Sequence, residues 1–217
     1  MIEAAIFDLD GLLIDSEEVW DAVREEYVGE HGLAYTADVQ RAMMGMSSAE
    51  WSRYLHESVG IPDDPAAIND EIVRRMQVAY AEHLPLVPGA VEAVERVAAR
   101  FPLALASSSN RPLIDEVLEL SGLAAFFRAT VSSEEVGRGK PAPDVYLEAA
   151  RRLGAAAQSC AAIEDSHAGI RSAHAAGMRV IVVPNASYPP GEDALALADA
   201  VLGSLAELTP ETVAGSA

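Results

Sequence analysis

Four short stretches hold the residues that could do chemistry. Near the start, Asp8-Leu9-Asp10-Gly11 sets two carboxylates two positions apart, and in an extended segment alternate side chains project to the same side. Two carboxylates that close do not both stay ionised cheaply unless a cation shares the site. Ser107-Ser108-Ser109-Asn110 leads into a helix pattern, and hydroxyls with N–H groups at a helix N-terminus form an anion site. Capping alone needs one serine. Gly137-Arg138-Gly139-Lys140-Pro141-Ala142-Pro143-Asp144 is a loop fixed by glycines and prolines, and Lys140 is the only lysine of the chain. Glu164-Asp165-Ser166 ends an apolar run, where carboxylate oxygens suit a hard cation such as Mg²⁺. Each stretch has a plain alternative when taken singly. Asp-x-Asp-Gly is turn composition, and a lone lysine is an ordinary surface charge.

The elements around these stretches give them a common geometry. Continuous apolar runs predict buried strands over 4–9, 102–106, 129–132, 161–164 and 180–183, as in a parallel sheet covered on both faces. Helical patterns over 91–100, 112–120, 144–153 and 168–176 separate most of them. Such alternation predicts an α/β doubly wound, Rossmann-like fold, in which ligands bind beyond the carboxyl ends of the strands. Residues 16 to 83 break the rhythm with helical patterns alone, over 17–31, 49–59 and 66–83. Ser47 with Glu50 three residues on reads as a capping box. The expected organisation is a catalytic core of residues 1–15 and 85–217, with an α-helical cap of residues 16–84. The tail after Thr209 reads as frayed.

The four stretches, in this order and on these strand ends, resemble the haloacid dehalogenase-like hydrolase superfamily over essentially the whole chain. The segment from Asp8 to Ser16, with Gly139–Asp144 and Glu164-Asp165-Ser166, looks like the branch that contains sugar phosphatases, phosphoglycolate phosphatases and β-phosphoglucomutase. That resemblance implies an aspartyl-phosphate on Asp8, with Asp10 as acid and then base. It implies Mg²⁺ on Asp8, the Asp10 carbonyl and Asp165, with Glu164 a direct or indirect contributor. Lys140 and the Ser107 hydroxyl would neutralise phosphoryl oxygens, and N–H groups near Leu9, Asp10, Gly11 and Ser108 would complete the cradle. Asn110 is a candidate substrate contact, while Arg111 reads equally well as a surface residue. The dehalogenases of the superfamily lack an acid/base aspartate at the position of Asp10, so phosphoryl chemistry is expected rather than carbon–halogen cleavage. The mutase alternative is weakened at two positions. A mutase histidine corresponds to Trp20 here, and its phosphate-gripping cap arginine to Ser48, although Arg41 or Arg53 could substitute.

Composition bounds the partners. With 34 acidic against 15 basic residues the formal charge is -19, which repels nucleic acid and anionic membranes. It also repels a small phosphorylated metabolite, the expected substrate, unless a cation, Lys140 and N–H groups compensate locally. A single cysteine, Cys160, allows no internal disulfide. No apolar run approaches the roughly 20 residues of a membrane span, and the N-terminus lacks a signal-peptide pattern. A monomeric, cytoplasmic protein is expected. Trp20, Met43, Met44, Met46, Trp51 and Tyr54 read as cap packing, with Trp20 and Met44 the candidates to face substrate. His167 reads as a helix start rather than a ligand.

Overall fold

In the computed structural model, which describes residues 1–43 and 46–215, six parallel strands form one sheet in the order β3-β2-β1-β4-β5-β6. They are β1 (Ala4–Phe7), β2 (Leu103–Ser107), β3 (Phe127–Ser132), β4 (Cys160–Glu164), β5 (Arg179–Val182) and β6 (Ala200–Val201). Every residue of β1, β2 and β4 is buried, which explains their continuous apolar character. The order reverses direction beside β1, whose neighbours are β2 and β4. This switch point brings the ends of β1, β2 and β4 together, and with them three of the four stretches.

Among the described residues six helices flank the sheet or complete its edge: α5 (Ala90–Ala98), α6 (Arg111–Leu120), α7 (Asp144–Leu153), α8 (His167–Ala175), α9 (Glu192–Leu195) and α10 (Pro210–Ala214) lie after β1's excursion, which α1 (Glu17–Glu30) opens. It continues through α2 (Ala37–Met43), α3 (Ser48–Tyr54), a π turn over Leu55–Val59, and α4 (Pro65–Glu82). The apolar faces of α1, α3 and α4 close on one another through Val28, Trp51, Leu55, Ile72 and Met76, all buried. Glu50 reaches back to the Ser47 N–H at 2.7 Å, fixing the start of α3. The chain returns to the sheet where Val87 N–H donates to the Leu13 carbonyl at 2.9 Å.

Short elements and the tail differ from the sequence reading, among them α9, whose four residues show no period. Helix α2 lies where no helix is expected, because its seven residues are too few to show a period. The two-residue β6 is equally too short to read. Residues 210–215 are ordered rather than frayed: the Thr209 hydroxyl caps Thr212 N–H at 3.2 Å and Val213 is fully buried. Arg96 ties the preceding turn down by donating to the carbonyls of Leu208 and Leu205 at 2.7 and 2.8 Å. No helix among the described residues is long and apolar enough to cross a membrane.

Candidate active site

Beyond the end of β1, Asp8 is 5% exposed and meets the Lys140 ammonium at 2.7 Å. Lys140 also donates to Glu164 Oε1 at 2.6 Å, so one cation is locked between two buried carboxylates. Glu164, at the end of β4, uses both of its oxygens. Oε1 also accepts from the Tyr146 hydroxyl at 2.8 Å. Oε2 accepts from Asp165 N–H, Ser166 N–H and the Ser166 hydroxyl at 3.0, 3.1 and 3.1 Å. These five donors fill its acceptor capacity. A side chain on Gly169 would strike that carboxylate, with a Cβ only 1.7 Å from Oε1.

Asp165, one residue on, has a different environment. Its Oδ1 is buried and finds no hydrogen-bond partner among the described residues. Oxygens of Asp8, Glu164 and Asp165 lie within 4.8 Å of one another. An acceptor left bare beside two other carboxylates is costly unless a cation completes it. The donor set is all oxygen and therefore fits a hard divalent ion. Titration points the same way. Burial and the neighbouring Glu164 charge push Asp8 up to about 7 despite Lys140, and burial with Glu164 and Asp8 raises Asp165 well above the usual range. For Glu164, burial acts upward, but the charge and hydrogen bond of Lys140 outweigh it and hold the carboxyl low. Gly11 is required for this crowding: its φ is +81°, and a Cβ there would sit 2.1 Å from Asp165 Oδ2.

Asp10 is held by three hydroxyls. Ser16 donates to Oδ1 at 2.7 Å, and Ser109 and Ser107 donate to Oδ2 at 2.7 and 3.2 Å. Ser107 is fully buried and its oxygen also accepts the Ser109 N–H at 2.9 Å. Its hydroxyl therefore faces Asp10 rather than the open crevice. Ser108 is exposed and lines the crevice. Leu9 is buried and its carbonyl anchors the turn by accepting from Leu13 N–H at 2.8 Å. Among the described residues, the N–H groups of Leu9, Asp10 and Ser108 meet no backbone acceptor.

Asp8, Lys140 and Asp165 open onto a crevice of about 670 Å³. A smaller cavity of about 130 Å³ continues under the helices, sharing Asp10, Glu17, Ser108 and Tyr188 with it. Trp20 lines that cavity, while Met44 lies outside the described residues. Arg41 and Arg53 line neither space; Arg41 pairs with Asp38 on the surface. Asn110 donates to Glu134 at 2.7 Å and to Asn69 of α4 at 3.0 Å, and Arg111 is taken up by Glu135, Asp115 and Thr130. His167 starts α8 on the crevice rim, 3.7 Å from Asp193. Sequence reasoning missed Arg24 and Tyr188 and gave Glu17 no place in the site; all three are on the cavity wall. Charged residues in a helix pattern read as solvated, and the 185–190 loop has no period to read.

A protein-family model for haloacid dehalogenase-like hydrolases matches residues 5–183. Hexitol phosphatase B of Escherichia coli K12 is 36% identical, over 99% of this chain and 97% of its own length. Fructose-1-phosphate phosphatase YqaB of the same organism is 33% identical, over 82% of this chain and 94% of its own. The crystal structure of CbbY from Rhodobacter sphaeroides in complex with phosphate superposes with a TM-score of 0.85 at 29% identity, covering 96% of each chain. The chain belongs to the haloacid dehalogenase-like hydrolase family. It is an enzyme, and both of these relatives are named as phosphatases.

Proposed function

We propose that the protein is a Mg²⁺-dependent phosphatase of a small phosphorylated metabolite, a sugar phosphate by class, acting through a phosphoenzyme on Asp8. The observation that carries this reading is the pairing of Asp8, bound to Lys140 through Oδ1, with a second carboxylate, Asp10, held separately by three hydroxyls. Two carboxylates in different environments serve two roles.

An Asp8 oxygen attacks phosphorus, and the bond from phosphorus to the leaving oxygen breaks as Asp10 gives that oxygen a proton. Asp10 then takes a proton from water as the water oxygen attacks phosphorus, which frees Asp8 and releases inorganic phosphate. Ser16, Ser107 and Ser109 fix the aim of Asp10 in both steps. Ser107 acts through Asp10, which revises its expected contact with the phosphoryl group. Lys140 and the N–H groups of Leu9, Asp10 and Ser108 bind phosphoryl oxygens. Asp8, Asp165 and the Asp10 carbonyl are the proposed Mg²⁺ ligands, and the bound ion would supply positive charge to the transferring group. Glu164, with its oxygens already filled, positions Lys140 instead of binding the ion.

Residues 16–84 are read as the cap that covers the site and excludes water from the first step. Hydrolysis is favoured over relocation of phosphate within the sugar, because Trp20 and Ser48 stand where a mutase would carry histidine and arginine. Arg41 and Arg53, off the cavity wall, offer no substitute. The test is phosphate release from a panel of sugar monophosphates, with Mg²⁺ and with chelator, by wild type and Asp10→Asn. Release that needs the metal and is lost in the variant supports the reading. Isomerised sugar phosphate with no free phosphate contradicts it.

A further inference from the structure

The cavity under the helices holds two polar atoms that the protein leaves unmatched. Arg24 Nε and Asn110 Oδ1 are both buried and find no hydrogen-bond partner among the described residues. Both residues line the same wall. Arg24 is also held in place rather than free to leave: its guanidinium carbon lies 4.6 Å from the Trp20 ring centre and 5.2 Å from that of Trp51. The two rings pack edge to face at 6.1 Å. Cation–π contact helps to fix the guanidinium, and it leaves the Nε–H unused. A buried donor and a buried acceptor left bare in one cavity are costly in the empty protein. They are satisfied together by a ligand that both accepts and donates.

The charge of the wall selects among such ligands. Asp10, Glu17 and Asp21 face the cavity, with Arg24 the one cation among the described residues that line it. Asp21 is already occupied by Tyr35, which donates at 2.9 Å, and by Gln40. Burial and the neighbouring Asp10 raise the affinity of Glu17 for its proton. A second phosphate or a carboxylate placed there would meet three acidic side chains against one guanidinium. Uncharged hydroxyls fit better, since each donates to one neighbour and accepts from another. The flanking Trp20 and Trp51 add apolar ring surface for C–H groups.

We infer that Arg24 is a specificity-determining residue, donating with Asn110 as its accepting partner to adjacent hydroxyls on the uncharged end of a polyhydroxy monophosphate. This rests on the phosphatase reading for the placement of the phosphate end, at Asp8 and Lys140. It adds the residue that reads the other end, and it excludes substrates charged at both ends.

The test is a binding titration that needs no turnover. Trp20 and Trp51 are the only tryptophans of the chain, so intrinsic fluorescence reports on the Arg24 environment. Asp8→Asn and the double variant Asp8→Asn/Arg24→Met are titrated with glucitol 6-phosphate, inorganic phosphate and fructose 1,6-bisphosphate in the presence of Mg²⁺. Methionine keeps the apolar stem over the rings, and Arg24→Lys, which keeps the charge without the fork, is run alongside with a melting curve for each variant. Loss of a charged donor to a hydroxyl predicts a Kd for glucitol 6-phosphate about 10-fold weaker or more, with inorganic phosphate changed by less than about 2-fold. Lysine should restore only part of the loss. Equal weakening of both single-phosphate probes, no weakening of either, or a bisphosphate that binds more tightly than glucitol 6-phosphate would overturn the assignment. Failure of the hydrolysis reading would leave this titration intact, because it would appear only as absent phosphate release from wild type.

Discussion

At the strand ends, Glu164 accepts from five donors and Lys140 is clamped between two carboxylates. Under the helices, Arg24 lies over two indoles with its Nε unmatched among the described residues, and Asn110 keeps a bare oxygen. The first region is a closed network in which even a methyl group at Gly169 has no room. The second is an open one whose polar groups await something the chain does not supply. In the closed region, among the described residues, only Asp165 Oδ1 is left over, at the place where a cation fits. The contrast separates two tasks. Charge that must not move during phosphoryl transfer is fixed by the protein's own bonds, and discrimination between substrates is left to groups that a substrate completes.

The strongest way to break the closed region is at its nucleophile. Asp8→Asn keeps the shape and removes the attacking oxygen charge, so turnover should fall about 10⁴-fold or more, with folding intact by circular dichroism. Residual activity within tenfold of wild type would remove Asp8 from the chemistry. Next in size is Glu164→Ala, which leaves Lys140 with Asp8 alone and strands the Tyr146 hydroxyl in the interior. Denaturant titration should show a loss of about 3–5 kcal/mol, the usual cost of removing one partner from a buried ionic network. A loss below about 1 kcal/mol would mean that the network is not closed.

The third prediction concerns protons. Asp8 is raised from 3.8 to about 7, so its deprotonation opposes the metal-free fold. Its contribution to metal-free stability is fully present below the unfolded value and is lost as pH rises through about 7. Subtracting the pH–stability curve of Asp8→Asn from that of wild type, both in chelator, should isolate this decline. Mg²⁺ needs the ionised carboxylates, so its affinity should rise with pH across the same window, about 10-fold per pH unit for each proton displaced. A Mg²⁺ affinity independent of pH between 5 and 7 would contradict the proton count. The smallest effect belongs to the open region. Trp51→Leu removes one of the two rings holding Arg24, and should raise KM for a six-carbon sugar monophosphate by about 3–10-fold with a smaller change in kcat. A kcat loss with unchanged KM would mean that the cavity serves chemistry rather than selection.

The two regions were unequally legible in the sequence. The closed one is written as short-range chemistry. Asp8, Asp10, Lys140, Glu164 and Asp165 each stand in a compact segment at the end of an apolar run or in a Gly/Pro-fixed loop, and the parallel topology gathers those ends. The open one is written only in packing. Arg24 sits one turn after Trp20 in a helix whose other face is acidic, so it reads as a solvated charge until α3 brings Trp51 across it. Tyr188 lies in a loop with no period, and its place on the cavity wall comes from where β5 ends. The serine run was legible as a group but not in its detail: the Ser107 hydroxyl turns inward to Asp10, because Ser109 N–H occupies its other side.

The central claim is a covalent phosphoenzyme on Asp8, and its most direct measurement is intact-protein and peptide mass spectrometry of acid-quenched turnover. Asp10→Asn, which slows attack by water, is mixed with Mg²⁺ and acetyl phosphate, whose good leaving group needs little help from an acid. The account predicts a mass gain of one phosphoryl group, mapped to the peptide that contains Asp8 and absent from Asp8→Asn. An unmodified Asp8 peptide under conditions where phosphate is being released would contradict it, and would assign the phosphoryl transfer directly to water.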